Sequence, residues 1–252
     1  IVVLSIIAED DPISMLILLF LILYLLSFLM FIPIIKSTNN FTRGNLADFV
    51  FDIVSSETGL TFSKSFDKKQ IHEYIKENTN ILYANSASVS LYVDIYDESL
   101  QNVMAKYMFV TITYSRYLSY LGYLIIIPND KGKSDIKIFT KNFKQYAINF
   151  KEDKNNRTNL SYIYYNKKEE YKFNQELVDL HKKIDEYYNE YLSNKMSIGL
   201  LSKNNHLSIM FGNNPKIHPN FIFKHKMTDE YLEKLINSII KDIELIKEIY
   251  NK

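Results

Sequence analysis

The sequence predicts an α+β protein, an antiparallel sheet with packed helices preceded by one or two transmembrane helices, and three observations predict it. Ile13 to Ile35 is a 23-residue run without a charge. From Val89 to Tyr96 apolar residues recur with period 2, as a sheet with a buried face requires, and runs rich in β-branched and aromatic residues follow. From Asn174 onward they recur mostly at 3- and 4-residue steps, the period of amphipathic helices.

The uncharged run sets the organisation. At about 1.5 Å of rise per residue it reaches roughly 35 Å, enough to cross the hydrocarbon core, so Ile13, Leu19, Leu26 and Ile35 mark an expected membrane span. Ile1 to Ala8 is apolar and too short to span. It reads as the end of an earlier membrane helix joined through the acidic turn Glu9 to Pro12, and the start at Ile1 fits a piece of a longer chain. A signal peptide is the alternative, but no small-residue cleavage site follows the run. Residues 1–36 are thus an expected anchor and 37–252 one soluble domain. Lys36, Arg43 and Lys64 follow the run and favour a cytoplasmic domain.

Composition limits the partners. Thirty basic and 29 acidic residues leave a net charge of +1, mixed along the chain, so no global field draws it to nucleic acid. With no cysteine there is no disulfide, thiolate nucleophile or thiolate metal site. The expected partners are the lipid bilayer and a protein, either another chain or a second copy.

Each element follows from its local pattern. Leu46, Phe49, Val50, Ile53 and Val54 fall at helical spacing, so Asn45 to Glu57 predicts a helix ending near Gly59. Asp67 serves as N-cap of a second helix running to about Asn78. Strands are predicted at Val89–Tyr96, Lys106–Tyr114, Tyr120–Ile127, Asp135–Thr140 and Ser161–Tyr165, with Tyr146–Phe150 extending the sheet. The third is apolar on both faces and belongs in the interior of the sheet. Between Asn129 and Gly132 the residues are those of a turn, Gly132 being able to take a positive φ, and Lys151 to Asn159 reads as a mobile charged loop. A helix over Asn174–Leu192 carries Leu177, Leu180, Ile184, Tyr187, Tyr188 and Tyr191 on one face. Met196–Leu201 and His206–Phe211 flank Asn204 and Asn205 as a hairpin, and Thr228 caps a last helix.

The strand region GYLIIIPND, the run YIYYNKKEEYKFNQELVDLHKKI, the hairpin MSIGLLSKNNHLSIMF and the long final helix, in that order behind a hydrophobic N-terminal hairpin, form a pattern. It resembles a bacterial membrane-anchored family catalogued only as a domain of unknown function, some of whose members carry a galanin label. The resemblance implies the anchored topology and the α+β domain, and it implies no activity or site residue.

Catalytic templates are not matched. The histidines His72, His181, His206, His218 and His225 form no metal-binding motif, and the glycines are scattered singly, so no phosphate-cradling loop exists. His181 beside an apolar helix face is more often a packed histidine than a catalytic one. Asp94, Asp97 and Glu98 are more often a solvated strand end than paired carboxylates; joined by a histidine through folding, Asp94 is the starting point for a hydrolase. No cofactor is expected. One cluster suggests a partner surface: Tyr114, Arg116, Tyr117, Tyr120 and Tyr123, residue types enriched at interface hot spots. The function expected is a membrane-tethered interaction or scaffold module, with an accessory subunit of a membrane assembly or a membrane-anchored hydrolase as alternatives.

Overall fold

A computed structural model describes residues 19–27, 48–64, 67–79, 81, 86–97, 102–113, 119–192, 197–212 and 228–251. The chain forms two compact units, Ile1–Val50 and Phe51–Lys252. In the first, residues 19–27 form a helix (α1) whose large side chains are all exposed, from 45% at Ile22 to 71% at Tyr24. No described helix is long and apolar enough to cross a membrane. The rest of the run from Ile13 to Ile35 lies outside the described residues.

The second unit is built on one antiparallel sheet. A helix at 48–58 (α2) ends at Gly59, whose φ of +69° takes the left-handed turn that favours glycine. Then come β1 (Phe62–Ser63), α3 (Lys68–Asn78), β2 (Ser86–Tyr96), β3 (Val103–Thr113) and β4 (Ser119–Pro128). Two 3-10 turns, Asp130–Lys133 and Lys141–Tyr146, bracket β5 (Ile136–Phe139). Next are β6 (Phe150–Glu152), β7 (Tyr162–Asn166), α4 (Gln175–Leu192), β8 (Ser197–Lys203), β9 (His206–Gly212) and α5 (Asp229–Tyr250). The described strands pair in the order β1-β2-β3-β4-β9-β8-β5-β7-β6. β4 is interior, as its doubly apolar sequence requires: Ile125, Ile126 and Ile127 are all fully buried.

Both faces of the sheet are covered. Met108, Val110, Ile112, Leu124, Ile126, Leu201, Met210 and Phe139 point one way, into a core completed by Ile71 and Ile75 of α3 and by Phe143 and Tyr146 of the second 3-10 turn. On the other face, Tyr107 meets Phe51 of α2 with ring centres 6.3 Å apart, and Phe211 meets Tyr188 of α4 at 4.5 Å. Ile236, Ile239, Ile243, Ile246 and Ile249 bury the inner face of α5. Burying an aliphatic side chain is worth about 1.5–3 kcal/mol, so this five-residue stripe is a main attachment of α5.

Several local expectations need correction. Gly132 has φ −76°, not a positive value; a Cβ there would lie 2.3 Å from the His206 carbonyl oxygen, so close backbone approach explains the glycine. Asn204 and Asn205, by contrast, do take the left-handed conformation expected of them, with the φ values of +49° and +59° that a two-residue hairpin loop requires. Lys141–Tyr146 coils as a 3-10 turn because Phe143 and Tyr146 reach back into the core, and the strand begins only at Phe150. The segment after it is not an unstructured charged loop: Asp153 accepts from the main-chain N–H groups of Asn155 and Asn156, from Asn156 Nδ2 and from the Tyr171 hydroxyl. In α2 the buried aromatic is Phe51, while Phe49 is 51% exposed.

Candidate functional site

A cavity of about 300 Å³ opens where the N-terminal half of α4 faces the end of α5 and the first 3-10 turn. Leu180 of α4, Leu207 of β9 and Ile249 of α5 give it an apolar floor. Asn129 fixes one wall: its Nδ2 donates to the Ile249 carbonyl at 2.8 Å, and its Oδ1 caps the 3-10 turn by accepting from the Lys131 N–H at 2.9 Å. Charges of both signs form the rim. Lys131 lies 3.2 Å from Glu176, Lys183 pairs with Glu248, and Asp179 accepts from Gln175 at 2.7 Å. These pairs are exposed, worth about 0–1 kcal/mol each, and rearrange at little cost when a ligand or partner arrives. An apolar floor inside a ring of movable charges suits an uncharged apolar group carried by a polar molecule.

Three polar clusters lie elsewhere. Lys106 on β3 donates to Asp94 at 2.7 Å and to the Tyr92 hydroxyl at 2.8 Å, while Tyr92 donates to Asp94 at 2.6 Å. The Lys106 ammonium also stands 4.8 Å from the centre of the Tyr74 ring, whose edge contact with His206 spans 5.7 Å. Burial, with Asp94 adding to it, pushes the Tyr74 phenol up to about 12. Asp94 thus closes a charge-neutral triangle, and His206 packs against the Tyr74 ring beside it. Asp97, by contrast, accepts from Asn102 at 3.2 Å, which ties off the β2–β3 connection.

The second cluster pairs a serine with a histidine. Ser161 Oγ is 2.8 Å from His181 Nδ1, and both residues are wholly buried. Burial pulls the imidazole down to about 4, the Ile198 main chain acting against that shift, so it is neutral at pH 7. A neutral imidazole on a serine is the contact that activates a nucleophile, but a substrate needs access, and neither residue lines the cavity. Its role here is packing.

Lys137 is the third. Only 1% exposed, it donates to the Tyr146 carbonyl at 3.3 Å and sits 4.2 Å from the centre of the Phe150 ring. Burial lowers its amine to about 7, which Asp135 only partly offsets.

The expected aromatic surface is divided. Tyr114, Arg116 and Tyr117 lie outside the described residues. Tyr120 is a core residue, 1% exposed, its hydroxyl donating to the Phe211 carbonyl at 3.0 Å and its ring packed edge-on against Phe143 and Tyr146. Tyr120 is therefore unavailable to a partner; hydrogen-bonding capacity along β9 and aromatic neighbours draw it inside. Tyr123 is half-buried against Tyr107 and Phe109. His72 is exposed on α3, while His218, His225 and Glu98 lie outside the described residues. No group of three or more metal-ligating side chains occurs among the described residues.

The cavity residues escaped sequence reasoning because Leu180, Leu207 and Ile249 look like ordinary members of three apolar stripes. Nothing in one strand or helix signals a gap between two. Asp242 did leave a signal: it interrupts the buried stripe of α5 between Ile239 and Ile246. In comparisons with known proteins, no family model, curated protein or solved structure matches the chain. The family resemblance therefore rests on the order of elements alone.

Proposed function

We propose that the protein is a membrane-tethered interaction module, in which the segment from Ile13 to Ile35 holds the α+β domain at the cytoplasmic face of a bilayer and the domain binds a protein partner there. The observation that carries this reading is the uncharged run itself, together with the eight consecutive large apolar side chains, Leu19 to Leu26, that α1 leaves exposed. A helix apolar all round needs a nonaqueous neighbour, because each square ångström left in water forgoes about 25 cal/mol. Lys36, Arg43 and Lys64 support the cytoplasmic side. The apolar cavity with its charged rim supports a partner that inserts one uncharged side chain.

Site-specific photo-crosslinking tests the reading. A crosslinker at Leu180 in the membrane-borne full chain gives a discrete protein adduct, whereas one at the exposed Asn237 of α5 does not. Equal labelling at both positions, or none at Leu180, contradicts the assignment.

A further inference from the structure

The buried face of α5 is aliphatic except at Ser238 and at one carboxylate, Asp242, which is 6% exposed. Two hydroxyls clasp it. Tyr107 of β3 donates to Oδ2 at 2.9 Å, and Tyr188 of α4 donates to Oδ1. Both tyrosines are themselves buried, Tyr107 against the Tyr123 ring of β4 at 5.3 Å and Tyr188 against Phe211 of β9. The titratable groups around the site are Tyr107 on β3, Tyr123 on β4, and Tyr187 and Tyr188 on α4. On α5 itself, Lys241 lies 6.0 Å from the centre of the Tyr187 ring. Burial disfavours ionisation of Asp242, and the two hydroxyls favour it.

Two O–H groups satisfy an ionised carboxylate without neutralising it. A charge enclosed this way is disfavoured relative to the same group in water, and one proton removes the penalty. Because Asp242 joins α5 to both β3 and α4, that penalty falls on the docking of the helix. We propose that Asp242 is an acid-tightened latch: protonation of its carboxyl strengthens the attachment of α5 to β3 and α4, and ionisation loosens it. Burial pushes the carboxyl up to about 6, the hydroxyls pulling back against it. Since the folded value is raised, the stabilisation is present below the ordinary carboxylate range and is lost as pH rises through about 6.

Hydrogen exchange of the full chain, normalised for the intrinsic effect of pH, tests this with wild type beside Asp242→Asn. Between pH 4.5 and 7 the opening of α5 amides should rise roughly 10- to 100-fold in wild type, as a shift of about two pK units allows, and this rise should be absent in the variant. Equal pH ratios in the two proteins, or a rise toward acid confined to wild type, overturn the proposal. If Asp242→Asn does not fold, carboxyl carbon NMR of the wild type decides: a midpoint near 6 supports the latch, and one in the ordinary range overturns it.

Discussion

Ser161 Oγ and His181 Nδ1 lie 2.8 Å apart in a wholly buried site that ties the start of β7 to α4. The imidazole is held neutral by burial, its pKa lowered from 6.5 to about 4. In that window the unfolded chain binds a proton that the folded chain does not, so stability rises with pH from about 4 to 6.5, by about 3 kcal/mol in all. Asp242 acts with the opposite sign over nearly the same range. Wild type is therefore expected to show a shallow net slope. Urea unfolding at pH 4.5, 5.5 and 6.5 should give a steeper rise in Asp242→Asn and a fall in His181→Leu; parallel curves for all three proteins would refute both assignments.

Lys137 should limit stability at neutral pH. Its amine is lowered to about 7 in the fold, so the folded state disfavours the charged form that the unfolded chain carries up to about 10.5. Stability should rise as pH increases between those values. Replacing the amine by a thioether of similar length, Lys137→Met, should stabilise the domain at pH 7 by on the order of 2–4 kcal/mol and remove the rise, as measured by denaturant midpoints at pH 7 and 9.5. A destabilised Lys137→Met with the rise intact would show that the buried amine is not the cause.

Two glycines are expected to be irreplaceable for a steric reason. A Cβ on Gly122 would fall 2.0 Å from the Phe211 carbonyl oxygen, and one on Gly132 2.3 Å from that of His206. In each case the obstacle is backbone of β9, which cannot turn aside. Gly122→Ala and Gly132→Ala should each cost about 3 kcal/mol or more. Gly59 differs, having open space around it and only its positive φ to satisfy, so Gly59→Ala should cost about 1 kcal/mol. Thermal melts of the three variants rank them; a Gly59→Ala protein less stable than the other two would contradict the account.

The Lys106 network should be cooperative. Removing its cation as Lys106→Met leaves Asp94 with the Tyr92 hydroxyl alone in a partly buried site, at a cost of about 1–3 kcal/mol. The double change Lys106→Met with Asp94→Leu should recover part of that loss, because no charge is then left unpaired. Additive losses in a double-mutant cycle would mean that the two side chains do not act together.

The periodic elements were legible because a single strand or helix encodes its own buried face. Ile125 to Ile127 announces an interior strand, and Asn204-Asn205 announces a tight hairpin, each from residues adjacent in the chain. What depends on two distant segments was not legible. Gly132 looked like a positive-φ residue, yet its smallness answers to His206, more than 70 positions away. Tyr120 looked like a surface aromatic because a tyrosine beside a turn usually is one; the core formed by Phe143 and Tyr146 claims it instead. The cavity arises from a gap between α4 and α5 that neither helix specifies, and Asp242 makes sense only once Tyr107 and Tyr188 converge on it.

The central claim is the tether, and alkaline carbonate washing of membranes from cells expressing the full chain tests it most directly. The account predicts that the protein stays in the membrane pellet and is released by detergent, while a chain with Leu19, Leu23 and Leu26 all changed to Arg moves to the supernatant with its domain folded. Release of the unaltered chain by carbonate alone would contradict it.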